Sequence, residues 1–483
     1  MHISGCRNFS FSLYFALYGN GDFIMNKKMR VWLIALIFLN GFISLSLELV
    51  VLRQLSFWVG SSPVITSIIM GAFLGFMSLG YWLGNSERVR IKFIPKILCL
   101  SFLFIAALAL FAASFPFVTT YFALMYTAGI TSGVIQTFLY SFVFLSVGPF
   151  LFGFNTTILS RLLQVRNKNN TGNIMAVDTI GSVMASMLTT LFLMPFLGVN
   201  YTVGLVILLG CVCALLSYRR IWVWIVVVFL LAFGGYINSD YVQYSKYGIL
   251  VNNSNSTISV AEFDGVRVLD MNRLAMSMYD TRDGRGAPYI NFVNDNFIYT
   301  LPTDRPRKIL VLGAGGFTAG LRDTFHEYTF VDIEPTLKDV SEKYFLKQNL
   351  GPNKKFIVQD ASQFLKNTTE QFDIILLDVY SNSFQIPEGL ITREFMSRIK
   401  SRVAPNGVVL MNMIESPSFS DAYTRVFDNT FHSVFKHNTS RQIIDTINPW
   451  SPDDVANVIY IYFNTENDGR IYTINKTPVI YDR

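Results

Sequence analysis

The charged residues divide this chain into two contrasting halves. No Asp, Glu, Lys or Arg occurs between Lys96 and Arg161, whereas charged residues recur every few positions from Asp240 onward. A helix that crosses a hydrocarbon core of about 30 Å needs roughly 20 apolar residues, because each residue advances the helix by about 1.5 Å. The uncharged segments therefore predict a first half embedded in lipid, and the 51% of hydrophobic residues in the whole chain agrees with this division.

Seven windows have the length and composition of membrane-spanning helices. They are roughly residues 31–50, 63–83, 97–117, 135–158, 174–196, 200–218 and 221–238. The stretch 118–133 is apolar enough for a re-entrant or interfacial segment. The predicted organisation is an N-terminal extension over 1–28, a transmembrane domain over 29–238, a small β subdomain over 239–300 and an α/β domain over 301–483.

Basic residues mark alternate connections between these windows. The clusters are Lys27, Lys28 and Arg30; Arg88, Arg90, Lys92 and Lys96; Arg161, Arg166 and Lys168; and Arg219 with Arg220. Because cytoplasmic loops carry the excess of Lys and Arg, this pattern places the N-terminus in the cytoplasm and, after seven crossings, the second half outside it. The net charge of +6 is thereby explained by membrane topology, and we expect a lipid bilayer and no nucleic acid as a partner.

Glu48 and Asp178 are ionisable residues inside the predicted spans, where an unpaired charge is costly. Glu48 could pair with Arg53 near a membrane face. The alternative is a polar site between helices that handles a cation or a proton. Small residues spaced by four predict closely packed helices at Gly71 and Gly75, Gly80 and Gly84, and Gly181 and Ala185.

Three cysteines lie in apolar segments and have no metal-ligand spacing, so we expect buried thiols and no metal site: Cys99, Cys211 and Cys213.

Beyond Ile249 the pattern changes to short alternating segments. These predict a small β-meander over Thr257–Glu262, Val266–Asp270 and Ala275–Tyr279.

A buried parallel strand is predicted at Lys308–Leu312, and it leads into the glycine-rich turn Gly313–Gly320 and then into a helix. Glycines in such a turn let the backbone approach a ligand and present amide groups at a helix N-terminus. A glycine-rich turn alone is weak evidence, and the strands that follow it supply the context.

Acidic residues follow the next three predicted strands. Tyr328–Val331 leads to Asp332 and Glu334, Lys355–Val358 leads to Asp360, and Phe372–Leu377 leads to Asp378. Parallel strands end at one edge of a sheet, so the four acids are expected to converge there. An acid about twenty residues after the turn can accept both ribose hydroxyls. For any one of the four, a helix cap or a turn is the alternative.

These motifs, in this order, resemble those of the spermidine synthase family over roughly residues 250–440. The matching segments are Val311–Gly316, Val331–Pro335, Gln359–Ala361, Phe372–Asp378, Ile386–Phe395 and Val403–Val408. The resemblance implies a Rossmann-type fold like that of class I S-adenosylmethionine-dependent methyltransferases. Many bacterial chains of this kind also carry an N-terminal multi-spanning domain, which implies a multi-pass protein of the bacterial inner (plasma) membrane.

The resemblance further implies aminopropyl transfer from decarboxylated S-adenosylmethionine to a small amine in polyamine biosynthesis, without a metal or a permanently bound cofactor. A homodimer is the assembly that soluble members of the family suggest. Amines are protonated near neutral pH, so a carboxylate must take a proton from the acceptor. Carried over by motif, the roles would be Gly313, Gly315, Gly316, Asp332, Asp360 and Ala361 for the donor, Asp378 for the general base, and Tyr380 and Ser381 for the acceptor.

Several positions depart from the family pattern. Gly316 stands where an Asp usually holds the donor's amino group, and Ser381 stands where a second acid is usual. Asn255-Ser256 replaces a Tyr-Gln pair, and Tyr289-Ile290-Asn291 replaces Tyr-His-Glu. Each lost charge-assisted hydrogen bond weakens diamine binding by about 1.5 to 3 kcal/mol. Three hypotheses stay open: an aminopropyltransferase, a methyltransferase that uses S-adenosylmethionine itself, and a nucleoside- or polyamine-binding sensor or transporter without turnover.

Overall fold

A computed structural model describes residues 27–60, 62–85, 93–164, 171–380, 386–445 and 455–466. Most of the predicted N-terminal extension lies outside these ranges. The chain forms two compact units, Met1–Ser259 and Val260–Arg483.

The first unit is helical, as its apolar segments predict. Its helices are α1 (Lys27–Val59), α2 (Pro63–Gly84), α3 (Ile94–Ala113), α4 (Phe115–Thr127), α5 (Gly133–Phe144), α6 (Val147–Gln164), α7 (Thr171–Leu188), α8 (Gly198–Ser217), α9 (Ile221–Ile237) and α10 (Asp240–Tyr247). A π-helical segment, Thr189–Leu197, joins α7 to α8. Pro195 lies in this segment, and because proline lacks a backbone N–H it interrupts the regular α-helical hydrogen bonds.

Four helices in the described part of the chain are long and apolar enough to cross a membrane, or up to six if each of two bent pairs is one span. The pairs are α5 with α6, bent by 43°, and α9 with α10, bent by 46°. The difference from seven predicted windows arises at Thr171–Ser217, which is helical over 47 residues and contains two of those windows. At about 1.5 Å per residue, such a segment is far longer than one hydrocarbon core.

The α7 half of this segment runs in the same direction as α1. The Ser182 hydroxyl donates to the carbonyl of Gly41 at 3.2 Å, and further along both helices the hydroxyls of Ser46 and Thr189 are 2.9 Å apart.

The α8 half runs opposite to α3. Gly210 lies against Ala106. Further along α8, the carbonyl of Tyr218 lies 3.9 Å from the thiol of Cys99, which precedes Ala106 on α3. The ends of α1 and α3 meet where the Gln54 side chain donates to the carbonyl of Ala113 at 2.9 Å. The chain therefore reverses direction between α7 and α8, at Gly198, whose φ is 84°.

Two of the three predicted small-residue pairs lie in close helix contacts. Gly80 and Gly84 pack against the α6 backbone, and Gly181 packs against the carbonyl of Phe38. A side chain at any of the three would overlap a neighbouring helix. Gly71 and Gly75 face open space instead. The expectation of buried thiols is confirmed at Cys99, Cys211 and Cys213.

Eleven strands are found in the described ranges. They are β1 (Ile249–Asn252), β2 (Thr257–Phe263), β3 (Val266–Met271), β4 (Leu274–Asp280), β5 (Lys308–Leu312), β6 (Glu327–Asp332), β7 (Lys354–Val358), β8 (Phe372–Leu377), β9 (Val403–Glu415), β10 (Thr439–Ile444) and β11 (Ala456–Phe463). Strands β2, β3 and β4 are neighbours in one sheet, as the predicted meander requires.

The second unit contains a seven-stranded sheet in the order β10-β11-β9-β8-β5-β6-β7. The pairs among β5 to β9 are parallel, and β11 pairs antiparallel with β9 and with β10. This confirms the predicted Rossmann-type, methyltransferase-like fold. The strand order reverses between β5 and β8, which is the position where open α/β sheets bind ligands. The described α-helices of this unit are α11 (Pro288–Val293), α12 (Leu337–Val340), α13 (Ala361–Asn367), α14 (Arg393–Arg402) and α15 (Ala422–Val434).

The prediction of a helix after the glycine-rich turn was wrong. Residues 313–326, between β5 and β6, form turns and contain no helix. The φ angles are positive at Gly313 (93°), Gly315 (48°), Phe317 (60°) and Gly320 (58°), and an α-helix requires negative values throughout. The turn therefore cannot use a helix dipole to hold a ligand.

Candidate active site

A cavity of about 170 Å³ borders the ends of β5 and β8 within the second unit. Its polar lining comes from Ser277, Tyr289, Asp378, Tyr380, Asn412, Asp445 and Asn457. Its apolar lining comes mainly from Leu274, Met276, Met278, Ala287, Pro288 and Ile414. Of the predicted site residues, Gly315, Asp378 and Tyr380 line this cavity.

Asp378 follows the last residue of β8, and its backbone N–H donates to the carbonyl of Leu312 at 2.8 Å. One carboxylate oxygen, Oδ2, accepts from the Tyr289 hydroxyl at 2.7 Å, and Oδ1 accepts from the Asn412 side chain at 2.9 Å. Burial raises the pKa of Asp378, while the bonds from Asn412 and Tyr289 oppose that rise. A buried carboxylate with increased proton affinity, oriented by two donors, is suited to act as a general base.

Two tyrosines lie beside this carboxylate. Burial, and then the nearby charge of Asp378, raise the pKa values of Tyr289 and Tyr380 well above the ordinary range. Both phenols are therefore neutral donors near pH 7. The Tyr380 hydroxyl donates to the backbone carbonyl of Asn412 at 2.8 Å, so Asn412 is contacted at both its side chain and its backbone.

The glycine-rich turn lies close to the base. A Cβ atom at Gly313 would overlap the carbonyl of Asp378, so the approach of the two chain segments requires glycine. At Gly316, the N–H donates to the Ser277 hydroxyl at 2.8 Å. The ring of Phe345, which is 0% exposed, fills the space that a side chain at Gly316 would need. The Asp that the family usually has here would not fit unless Phe345 moved.

Asp332, at the end of β6, stabilises the same turn. Its carboxylate accepts from the N–H of Ala314 at 2.9 Å and from the N–H of Glu334 at 3.0 Å. Burial raises the pKa of Asp332. Each oxygen retains capacity for a further donor, which leaves the predicted ribose contact chemically open. Glu334 is buried, and it accepts from the Thr336 hydroxyl at 2.6 Å within its own turn.

Asp360 is the N-cap of α13, where its side chain accepts from the N–H of Gln363 at 2.9 Å. Asp360 therefore makes the helix-cap bond that was the alternative role for it. The adenine contacts of Asp360 and Ala361 stay predictions. Of the four acids expected to converge, Asp378 is the one that borders the cavity in the described part of the chain. Ser381 lies outside the described residues.

Sequence reasoning missed Asn412 and Ser277 as site residues. Asn412 was accessible in principle, because β9 pairs in parallel with β8 and Met411 is the partner of Leu377, so the next residues on the two strands lie side by side. Ser277, in β4, has no sequence signal that we can identify. Asn291, one of the departures from the family pattern, both donates to and accepts from the backbone of Gly286, which a carboxylate could not do.

In the ranges that the structure covers, no group of three or more His, Cys, Asp or Glu residues could hold a metal ion.

Part of the chain matches a known family model. Residues 298–448 match the family model described as the spermine/spermidine synthase domain. A polyamine aminopropyltransferase of Sulfurisphaera tokodaii is 33% identical over 162 residues, which cover 30% of this chain and 53% of the relative. One of Vibrio vulnificus is 26% identical over 167 residues, covering 32% of this chain and 55% of the relative.

The chain thus spans about half the length of these curated relatives. Among solved structures, a probable spermidine synthase from Corynebacterium glutamicum aligns with a TM-score of 0.37 and 19% identity, covering 46% of this chain and 80% of that one.

Proposed function

We propose that this chain, whose residues 298–448 belong to the spermine/spermidine synthase family, is a membrane-bound transferase that moves an aminopropyl group from decarboxylated S-adenosylmethionine to a small amine. The observation that carries the proposal is the Asp378 carboxylate at the end of β8, bordering a cavity and held by Tyr289 and Asn412.

In the proposed reaction, the acceptor nitrogen attacks the propyl carbon that is bonded to the donor's sulfonium sulfur. An N–C bond forms, the C–S bond breaks, and its electron pair stays on sulfur, so neutral methylthioadenosine leaves. Asp378 takes the proton that the acceptor nitrogen must lose. Tyr289 and Asn412 keep the carboxylate oriented toward the acceptor, which is the contribution expected of groups that position a general base.

The remaining predicted roles form part of this proposal. Asp332 would hold the donor's ribose, and Asp360 with Ala361 would flank its adenine. Gly313, Gly315 and Gly316 would let the backbone approach the donor, and Tyr380 with Ser381 would contact the acceptor. The proposed role of the glycine-rich turn in donor binding is supported by its position where the strand order of the sheet reverses.

The proposed location is the bacterial inner membrane, and a homodimer is the proposed assembly. Long apolar helices support embedding in a bilayer. The basic clusters support an orientation with the second unit outside the cytoplasm. A C-terminal reporter that is active on only one side of the membrane tests this orientation, and cytoplasmic reporter activity would contradict it.

Transfer of a methyl group from S-adenosylmethionine is a second candidate function. The observation that favours it lies at Gly316, where the family's anchor for the donor amino group is absent and Phe345 fills the adjacent space. An Asp at this position would repel the carboxylate that S-adenosylmethionine carries and the decarboxylated donor lacks, so its absence tolerates S-adenosylmethionine.

Calorimetric titration of the purified full-length protein with decarboxylated S-adenosylmethionine, S-adenosylmethionine and methylthioadenosine tests the proposal. Each donor is then incubated with a panel of mono- and diamines, and products are identified by mass spectrometry. We expect the decarboxylated donor to bind and to yield an aminopropylated amine with methylthioadenosine. Methylated product from S-adenosylmethionine alone would favour the second candidate, and binding without any product would favour a sensor or transporter.

A further inference from the structure

A cluster of polar side chains lies between α1, α6 and α7 in the otherwise apolar first unit. Asn40 and Asn155 are buried, at 1% and 0% exposure. The Asn40 amide donates to the Thr156 hydroxyl at 3.0 Å and to the carbonyl of Phe152 at 3.2 Å, and the Asn155 amide lies 3.4 Å from the Asn40 oxygen. The Thr156 hydroxyl is 3.4 Å from Oδ1 of Asp178. The cluster thus leads to the half-buried carboxyl group of Asp178 on α7.

Asp178 receives little compensation for its charge. No ion pair to Asp178 occurs among the described residues. Asn40 and Thr156 face the carboxyl, but the Asn40 amide also donates to Phe152 and Thr156. The single hydroxyl hydrogen of Thr156 is shared with the Phe152 carbonyl, which is closer at 3.1 Å. An ionised carboxylate in apolar surroundings is unstable unless a positive charge or several donors neutralise it.

A second, independent observation comes from Asn155. Its Oδ1 atom is fully buried and has no hydrogen-bond partner in the described part of the chain. The nitrogen of the same amide lies 3.4 Å from the side-chain oxygen of Asn40, so the unpaired oxygen belongs to the same cluster. Buried polar atoms nearly always have a partner, and each one left without any costs about 1 to 3 kcal/mol. The cluster therefore has more oxygen acceptors than donors.

We propose that Asp178, Asn155 and Thr156 form a binding site for a small monovalent cation, either Na⁺ or a proton, within the helical unit. A carboxylate, an amide oxygen and a hydroxyl are hard oxygen ligands, which suit a hard cation. A proton would supply the same neutralisation and would convert the carboxyl into a donor for a neighbouring oxygen. The helical unit would then respond to ions in addition to holding the protein in the membrane.

The alternative is that this hydrogen-bond network only holds the helices together. Glycine contacts already bring α1 and α7 together, because Gly41 lies against the Asp178 backbone and Gly181 lies against Phe38. Close packing of these helices is therefore explained without the carboxylate. A packing role also predicts no dependence on any particular cation, and this difference makes the two explanations separable.

The test measures thermal unfolding of the purified full-length protein in lipid nanodiscs. In one arm Na⁺ replaces choline at constant ionic strength, and in the other the pH varies without Na⁺. The variant Asp178→Asn removes the charge with little change in shape, and Asn155→Ala removes the unpaired oxygen. Thr157→Val is the matched control, since the Thr157 hydroxyl bonds to the backbone carbonyls of Gly153 and Tyr81 rather than to a side chain of the cluster. Tyr81 is the titratable side chain that faces Asp178 from α2.

We expect the wild-type Tm to rise by several degrees with Na⁺, or to rise as the pH falls if the cation is a proton. The response should disappear in Asp178→Asn and weaken in Asn155→Ala, while Thr157→Val retains it. Saturable binding of radioactive ²²Na⁺ by the wild type distinguishes Na⁺ from a proton as the bound cation. A wild-type Tm that responds to neither variable, or an equal response in Asp178→Asn, would overturn the proposal. If Asp178→Asn does not fold, the comparison of Asn155→Ala with Thr157→Val decides.

Discussion

Replacing Tyr289 by Phe removes one donor from the candidate base and leaves the ring in place. The lost hydrogen bond, 2.7 Å long, is made to a carboxylate, and such bonds are worth about 1.5 to 3 kcal/mol. The ionised form of Asp378 loses this stabilisation. Because about 1.4 kcal/mol corresponds to one pKa unit, the pKa of Asp378 should rise further by about 1 to 2 units.

The assay is the pH dependence of kcat/KM for aminopropyl transfer. A general base acts in its ionised form, so the acid limb of the profile should move to higher pH by the same 1 to 2 units in Tyr289→Phe. Tyr299→Phe is the matched control, because the Tyr299 hydroxyl contacts the N–H of Arg322 at 3.4 Å and does not line the cavity. An unchanged acid limb in Tyr289→Phe would refute the assignment of Asp378 as the group that titrates.

Three further changes test other parts of the structure. Asp360→Ala removes a helix N-cap and should lower the free energy of unfolding by about 0.5 to 2 kcal/mol in a denaturant titration. Gly316→Asp should lower the Tm because its side chain overlaps the ring of Phe345, and combining it with Phe345→Ala should cost less than the sum of the two single changes. Arg441→Met leaves the Glu415 carboxylate, whose side chain is 0% exposed, with the Tyr460 hydroxyl but without its cation at 2.9 Å, and should destabilise the protein by about 3 to 5 kcal/mol in the same titration.

The strands of the second unit were largely predictable from sequence. The segment Phe372–Leu377 was predicted with the bounds that the structure gives, because a run of buried apolar residues between turn residues is typical of a central parallel strand. The glycine-rich turn was predicted, but the helix after it was not formed. A helix was expected from analogy with nucleotide-binding turns, and the positive φ angles that exclude it depend on tertiary contacts, such as the approach of Gly313 to Asp378.

The candidate site was predictable only in part. Asp378 could be located because an acid at the end of a central strand stands out in the sequence. Its partners Tyr289 and Asn412 are 89 and 34 residues away along the chain, and only the folded sheet brings them together. In the first unit, Asp178 was identifiable as a charge within an apolar span, whereas the unpaired oxygen of Asn155 is visible only in the packed helices.

The central claim is that Asp378 takes the proton from the acceptor amine, and single-turnover transfer by the purified full-length protein measures this most directly. Asp378→Asn is compared with Asp373→Asn, a matched change on the same strand, where Asp373 pairs with Arg305 at 2.8 Å at the opposite end. Removal of a general base typically costs a factor of about 10² to 10⁴ in rate. We predict a loss of this size in Asp378→Asn and near wild-type transfer in Asp373→Asn. Transfer at the wild-type rate by Asp378→Asn would contradict the account.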